Sequence, residues 1–226
     1  MAKLKKTNYI KKLLNIIKNM GNKTHWENVF TTKNANEVSW TQENPASILS
    51  FLEEIKLPKT ANIIDVGGGE SFLAEILLNL GYQNIWVLDI SEKALEKAKK
   101  RLGEKAYLIN WIVSDITDFQ TDGENSIKFD FWNDRAVFHF LTDDDSIKKY
   151  IKIIENSVNP NGHFLLGTFS ENGPFKCSGL NIKQYSEEQM KITFEHSFKA
   201  IKCFTEAHKT PFDTVQNFQF CGFVKI

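Results

Sequence analysis

From residue 61 onward, short apolar runs alternate with stretches in which apolar residues recur every three or four positions. Short continuous runs read as strands buried on both faces, and the periodic stretches read as amphipathic helices. Strands are expected at 62–66, 84–89, 107–112 and 128–133, with helices near 70–80 and 91–102 after the first two. Ser91 is a good N-cap for the second helix. A helix near 143–157 runs to the turn sequence NPNG (159–162), and HFLLGTF (163–169) follows as a strand. A Gly/Pro-rich loop, ENGPFKCSGL (171–180), leads to a helix near 186–195. Two late strands, about 199–206 and 215–224, have no helix between them. Alternating strands and helices predict an α/β fold with a mostly parallel, doubly wound sheet. The terminal pair predicts an antiparallel C-terminal hairpin.

The first 60 residues follow a different pattern. Residues 1–23 carry seven lysines and no acid, with Ile10, Leu13, Leu14, Ile16 and Ile17 at roughly helical spacing. This predicts a basic amphipathic helix ended by Gly21. Its lysine face either is merely solvated or meets an anionic partner. Residues 25–45 are polar and turn-rich and hold Trp26 and Trp40. After Pro45, ASILSFLEEI reads as a helix that Pro58 closes. The expected organisation is an N-terminal helical segment and lid over 1–58, and one compact domain over 59–226.

Charge and cysteine content narrow the possible partners. Lysine plus arginine equals aspartate plus glutamate, at 28 each. A neutral balance gives no general attraction to nucleic acid, which is therefore an unlikely partner. No apolar run approaches the ~18 residues of a membrane span. No apolar segment with a small-residue cleavage site opens the chain, so no secretory signal is expected. Cys177, Cys203 and Cys221 are few, odd in number and widely spaced. That pattern predicts reduced thiols, a cytoplasmic location and no bound metal.

The chemistry concentrates in IIDVGGGES (63–71), where a strand runs into three glycines and then a helix. Asp89 stands twenty residues past Gly69, at the end of the next strand. A glycine turn with an acid at that distance marks a ribose-binding βαβ unit. The dinucleotide pattern also wants a third glycine, and Phe72 stands there. Asp65 and Glu70 add negative charge where a diphosphate would sit, which disfavours a nicotinamide-dependent dehydrogenase. A ribose ligand with an ammonium group and no phosphate fits better, and S-adenosylmethionine is such a molecule. Asp89 would accept its ribose hydroxyls, with Ile90 against the adenine. Asp115, in SDIT (114–117), could accept the adenine amino group while Ile116 stacks.

On DVGGGES, VLDIS, SDIT and the pair FDFWNDRAVFHFL and NPNGHFLLGTF, the chain resembles the class I S-adenosylmethionine-dependent methyltransferases. The resemblance spans roughly residues 61–170. It implies a Rossmann-like seven-stranded sheet ending in an antiparallel hairpin. It sets the turn of Asp65, Gly67, Gly68 and Gly69 against the methionine part, Asp89 at the ribose, and Asp115 with Ile116 at the adenine. Ser71 departs from the family, where many members carry another glycine. VSW, DRAVFHFL, CSG and HKTPF also look like a bacterial subgroup of these enzymes.

Methyl transfer needs alignment and exclusion of water more than a base. In such a fold the end of the fourth strand faces the methyl group, so Asn133 and Asp134 are expected near the sulfonium. Arg135 either pairs with Asp134 or binds an anionic substrate. His139 has the side chain suited to proton transfer near neutrality, and is otherwise a packing residue. His139, Asp134 and Arg135 are the expected catalytic set, and Trp26 and Trp40 are expected to cover the cofactor as an N-terminal lid. WNDR replaces the Asn/Asp-Pro-Pro-Tyr motif of adenine-N6 and glutamine-N methylases, which argues against both activities. A small-molecule acceptor is the leading expectation. A protein lysine or other side chain, or a non-catalytic S-adenosylmethionine-binding role, is the alternative.

Overall fold

A computed structural model describes residues 22–119 and 127–226 of the chain. The basic helix expected over 1–23 lies almost wholly outside the described residues.

The first two strands are β1 (Asn62–Val66) and β2 (Asn84–Asp89), followed by β3 (Ile109–Val113) and β4 (Phe129–Arg135). The later ones are β5 (Val158–Phe169), β6 (Lys176–Cys177), β7 (Leu180–Asn181), β8 (Phe198–Lys209) and β9 (Val215–Lys225). The helices are α1 (22–32), α2 (Ala46–Glu54), α3 (Leu73–Asn79), α4 (Glu92–Leu102), α5 (Asp144–Ser157) and α6 (Glu187–Phe194). Seven strands form one sheet in the order β3-β2-β1-β4-β5-β9-β8. The first five run parallel, β9 is antiparallel to β5, and β8 is antiparallel to β9. The expected seven-stranded architecture is therefore present.

The chain winds outward from β1 through β2 to β3, then returns to place β4 on the other side of β1. That reversal opens a crevice at the C-terminal ends of β1 and β4, where open α/β sheets bind ligands. Each face of the sheet has its own core. Phe51 of α2 and Leu77 of α3 pack with Phe131 and Phe220 on one face. Tyr150 of α5 and Phe194 of α6 pack with Trp132 and Phe164 on the other.

Local signals set the helix ends. The Ser91 side chain accepts the Ala94 N–H and caps α4. Asp143 does the same for α5 through Ser146, and Ser186 with Gln189 forms a capping box on α6.

Four expectations are corrected. Residues 22–32 are helical although turns were expected from 25 on, because Val29 and Phe30 are buried and give the polar segment one apolar face. NPNG lies inside β5 as a bend with Asn161 at φ +61°, where the β4 pairing shifts register. The 171–180 loop contains the two-stranded ribbon β6–β7. Cys203 and Cys221, expected as free thiols, are joined as a disulfide. They are direct partners in the β8–β9 register, and facing residues of an antiparallel pair have side chains in contact distance. Cys177 remains a free, buried thiol. Among the described residues no helix is long and apolar enough to cross a membrane.

Candidate active site

The turn after β1 presents bare backbone to a cavity of about 200 Å³ at the crevice. Gly67 has φ +69° and Gly69 φ +42°, both in the left-handed region that glycine tolerates. A Cβ on Gly67 would stand 2.0 Å from Val137 Cγ2, and one on Gly69 would stand 3.0 Å from Asp89 Oδ2. The glycines are therefore required both by conformation and by space. The Gly67 N–H donates to the Leu88 carbonyl at 2.7 Å, which ties the turn to β2.

Three acids at successive strand ends line this cavity, as do Gly67, Gly68, Gly69, Ile90 and Ile116. Asp65 is buried, and burial pushes its pKa up to about 6. Its Oδ1 accepts Asn133 Nδ2 at 2.7 Å and its Oδ2 accepts Ser71 Oγ at 3.2 Å, which limits the rise. Burial pushes Asp89 up to about 7, against a 2.8 Å bond from the Ser91 N–H. Asp115 accepts the Thr117 N–H and hydroxyl, each at 2.8 Å. The Asn133 Oδ1 atom is buried with no partner. Buried carboxylates beside an unsatisfied acceptor make a site that gains from a donor-rich, cationic ligand. A ribose, an ammonium and a phosphate-free chain fit this cradle; a diphosphate would meet Asp65 and Asp89 at close range.

Aromatic rings roof the cavity. Trp26 of α1 meets Trp40 edge to face at 5.6 Å and Phe140 at 5.3 Å, and Phe30 lies 6.2 Å from Trp40. Glu27 clamps α1 in place. Its carboxylate accepts the Ser91 hydroxyl at 2.9 Å and the Glu92 and Lys93 N–H groups at 2.8 and 3.1 Å. Burial opposes ionisation of Glu27, but these bonds at the α4 N-terminus outweigh it and leave its pKa lowered.

Arg135 closes the far side of the cavity. Its Nη1 donates to the Trp40 carbonyl at 2.9 Å, and its guanidinium lies over the Phe218 ring, 4.7 Å from the centroid. Burial pulls its pKa below the usual arginine range.

Two expected catalytic residues are not in the cavity. Asp134 points to the opposite face, where it accepts Tyr150 Oη at 2.6 Å and the Val137 N–H at 2.9 Å. Strand alternation explains this, since Asn133 and Arg135 face the cavity and the residue between them cannot. Arg135 consequently does not pair with it. His139 is fully buried, with its ring 4.6 Å from Phe140 and 4.8 Å from Phe169. Burial, with Arg135 nearby, lowers its pKa to about 3. Its Nδ1 accepts the Phe169 N–H at 3.4 Å, and its Nε2 is buried with no partner. Phe30 and Val137 line the cavity and were not expected; nor was Glu27, which holds α1 against the α4 N-terminus. An aromatic in a polar segment is the only signal that could have pointed to Phe30.

Fold and cavity define a class of protein: a doubly wound domain with a carboxylate-lined nucleoside crevice under an aromatic roof. A methyltransferase-domain family matches residues 57–218, and the chain belongs to that family; it is an S-adenosylmethionine-dependent methyltransferase. It is 22% identical to a zebrafish (Danio rerio) protein named EEF1A lysine methyltransferase 2, over 90% of this chain and 82% of the relative. The human protein of that name is 24% identical over 65% of this chain and 67% of its own length. Among solved structures, the Burkholderia thailandensis 1,6-didemethyltoxoflavin-N1-methyltransferase, bound to S-adenosylhomocysteine, aligns with a TM-score of 0.63. It is 17% identical, with 96% of this chain and 89% of that one covered. N-methyltransferase NodS from Bradyrhizobium japonicum, also with S-adenosylhomocysteine, aligns at 0.60 and 16% identity, covering 81% and 89%.

Proposed function

We propose that the enzyme transfers a methyl group to a small-molecule nucleophile held in the roofed cavity. The observation that carries this reading is the row Asp65, Asp89, Asp115 along three strand ends, closed over by Trp26 and Trp40. S-adenosylmethionine, when bound, supplies a methyl group already activated on a cationic sulfur. Asp89 would hold the ribose hydroxyls through charge-assisted bonds. Asp115 would accept the adenine amino group, with Ile90 and Ile116 against its faces. Asp65, steadied by Asn133 and Ser71, would hold the ammonium, and Gly67, Gly68 and Gly69 give the backbone room for the methionine chain. The aromatic roof excludes water, and positioning of this kind is worth up to ~7–11 kcal/mol in favourable cases. The reading needs no general base, because an acceptor that loses its proton to water or through its own acidity can attack the activated methyl group directly.

A protein side chain is the second reading, favoured by the names of the curated relatives, which methylate lysine. The lid over residues 22–42 would then have to admit a peptide. Methyl transfer from labelled S-adenosylmethionine into a cell lysate, separated by size, tells the two apart. Label in the small-molecule fraction supports the proposal. Label confined to protein overturns it in favour of the second reading, and label in neither supports a non-catalytic binding role.

A cytoplasmic location is also proposed, though cysteine usage no longer supports it, because bonds like Cys203–Cys221 are rare in reducing compartments. A free-thiol count on protein from its native cells checks this. Three thiols would mean that the Cys203–Cys221 pair is reduced in cells and would fit the cytoplasm; one thiol would match the bonded pair and contradict that location.

A further inference from the structure

Arg135 has more hydrogen-bonding capacity than the protein uses. Its Nη1 is occupied by the Trp40 carbonyl, but Nε and Nη2 are shielded from solvent and have no partner. These two nitrogens form one edge of the guanidinium, the edge that grips a carboxylate with two parallel bonds. Among the described residues no carboxylate lies within ion-pair distance of it.

The Glu206 and Asp65 carboxylates lie near enough to favour its charged form, but neither is in ion-pair contact with it and both have other hydrogen-bond donors. The Glu206 carboxylate accepts Ser47 Oγ and, at 3.2 Å, Gln42 Nε2. Asp65 is engaged by Asn133 and Ser71. Burial pushes the Cys177 thiol up to about 12, so it is uncharged, and His139 is neutral. His208 also has a lowered pKa, chiefly through burial, and its Nε2 bonds the Ser39 carbonyl at 2.8 Å.

The position favours the acceptor over the cofactor. The acids that suit the nucleoside lie on β1, β2 and after β3, to one side of β4. The Arg135 guanidinium reaches the other way, over Phe218 of β9. The cavity walls nearby are Trp40, Phe140 and Cys177.

We propose that Arg135 receives a carboxylate on the methyl acceptor, so that the acceptor is a small organic anion with an apolar body. This rests on the reading of the cavity as a joint cofactor and acceptor site. It adds the acceptor's charge and the residue that reads it.

The test uses the full chain saturated with S-adenosylhomocysteine. Benzoate and phenylacetate are titrated against benzamide and phenylacetamide, followed by calorimetry and thermal shift. The acids should bind at least about tenfold more tightly than the matched amides. Arg135→Met should abolish that preference while S-adenosylhomocysteine affinity stays within about twofold, and Arg135→Lys should keep part of it. Equal binding of acid and amide, or no binding of the acids, overturns the proposal. So does an Arg135→Met variant that keeps the preference. Loss of S-adenosylhomocysteine affinity in Arg135→Met, without acid binding to the unaltered protein, assigns Arg135 to the cofactor's own carboxylate and also overturns it. If Arg135→Met does not fold, the acid–amide comparison on the unaltered chain decides. Failure of S-adenosylhomocysteine to bind the unaltered chain is a different result, and it sinks the cofactor reading beneath.

Discussion

The two halves of the cavity are built by different means. On the β1–β2 side the surface is backbone and carboxylate, with Gly67 and Gly69 against Val137 and Asp89, and each acid already holding at least one donor. On the β4–β9 side it is aromatic, with a single guanidinium whose free edge is unmatched. The first half tolerates almost no change of shape, because its contacts are set by backbone conformation. The second is set by side chains that meet across elements distant in sequence. A rigid half that holds a constant cofactor and a second half that selects an acceptor is the division of labour this contrast implies.

The contrast breaks first at Gly67. Gly67→Ala forces a Cβ against Val137 at positive φ, and is expected to cost about 2–5 kcal/mol. Thermal melting should show a fall of roughly 5–15 °C in Tm for a chain of this size. An unchanged Tm would mean that the turn has room to relax.

Asp89→Ala should come next, weakening S-adenosylhomocysteine about 10–100-fold in calorimetry, as expected when a charge-assisted pair of bonds is lost. An affinity within a factor of two of the unaltered chain would remove Asp89 from the ribose.

The raised pKa values of Asp65 and Asp89 give a pH signature with two opposite signs. Binding of a cationic ligand needs the ionised carboxylates. Affinity for S-adenosylmethionine should therefore fall as pH drops through about 7 and then about 6, by at most about tenfold per unit for each linked proton. The ligand-free fold behaves the other way. The folded state binds these protons more tightly than the unfolded chain. Their contribution favours folding fully below about pH 4 and is lost as pH rises through about 6 to 7. Asp65→Asn should flatten both curves, and melting and binding measured across pH 5–8 check it.

The smallest effect is expected at His139. His139→Gln should leave the pH dependence of kcat unshifted, because an imidazole outside the cavity whose pKa is lowered to about 3 stays uncharged across the neutral range. Loss of a kinetic pKa near 6–7 in this variant would restore it to catalysis.

Much of the first half of the cavity was legible in the amino-acid order, because its chemistry is local. Asp65 and the glycines are contiguous, and Asp89 and Asp115 each end an apolar run, so strand ends alone align them. The second half depends on contacts distant in sequence. Asp134 and Arg135 are adjacent, and only the strand's alternation separates one into the core and the other into the cavity. His139 carries the right side chain for catalysis, yet Phe140 and Phe169 enclose it. The Cys203–Cys221 pair depends on a hairpin register that cysteine spacing does not reveal. Helix α1 was hidden because its polar face dominates the composition of residues 25–32.

A crystal structure of the full chain with S-adenosylhomocysteine tests the central claim most directly. The account predicts the ribose hydroxyls on Asp89, the adenine between Ile90 and Ile116 near Asp115, and the amino group at Asp65. Density for the nucleoside outside the crevice, or a ribose turned away from Asp89, would contradict it.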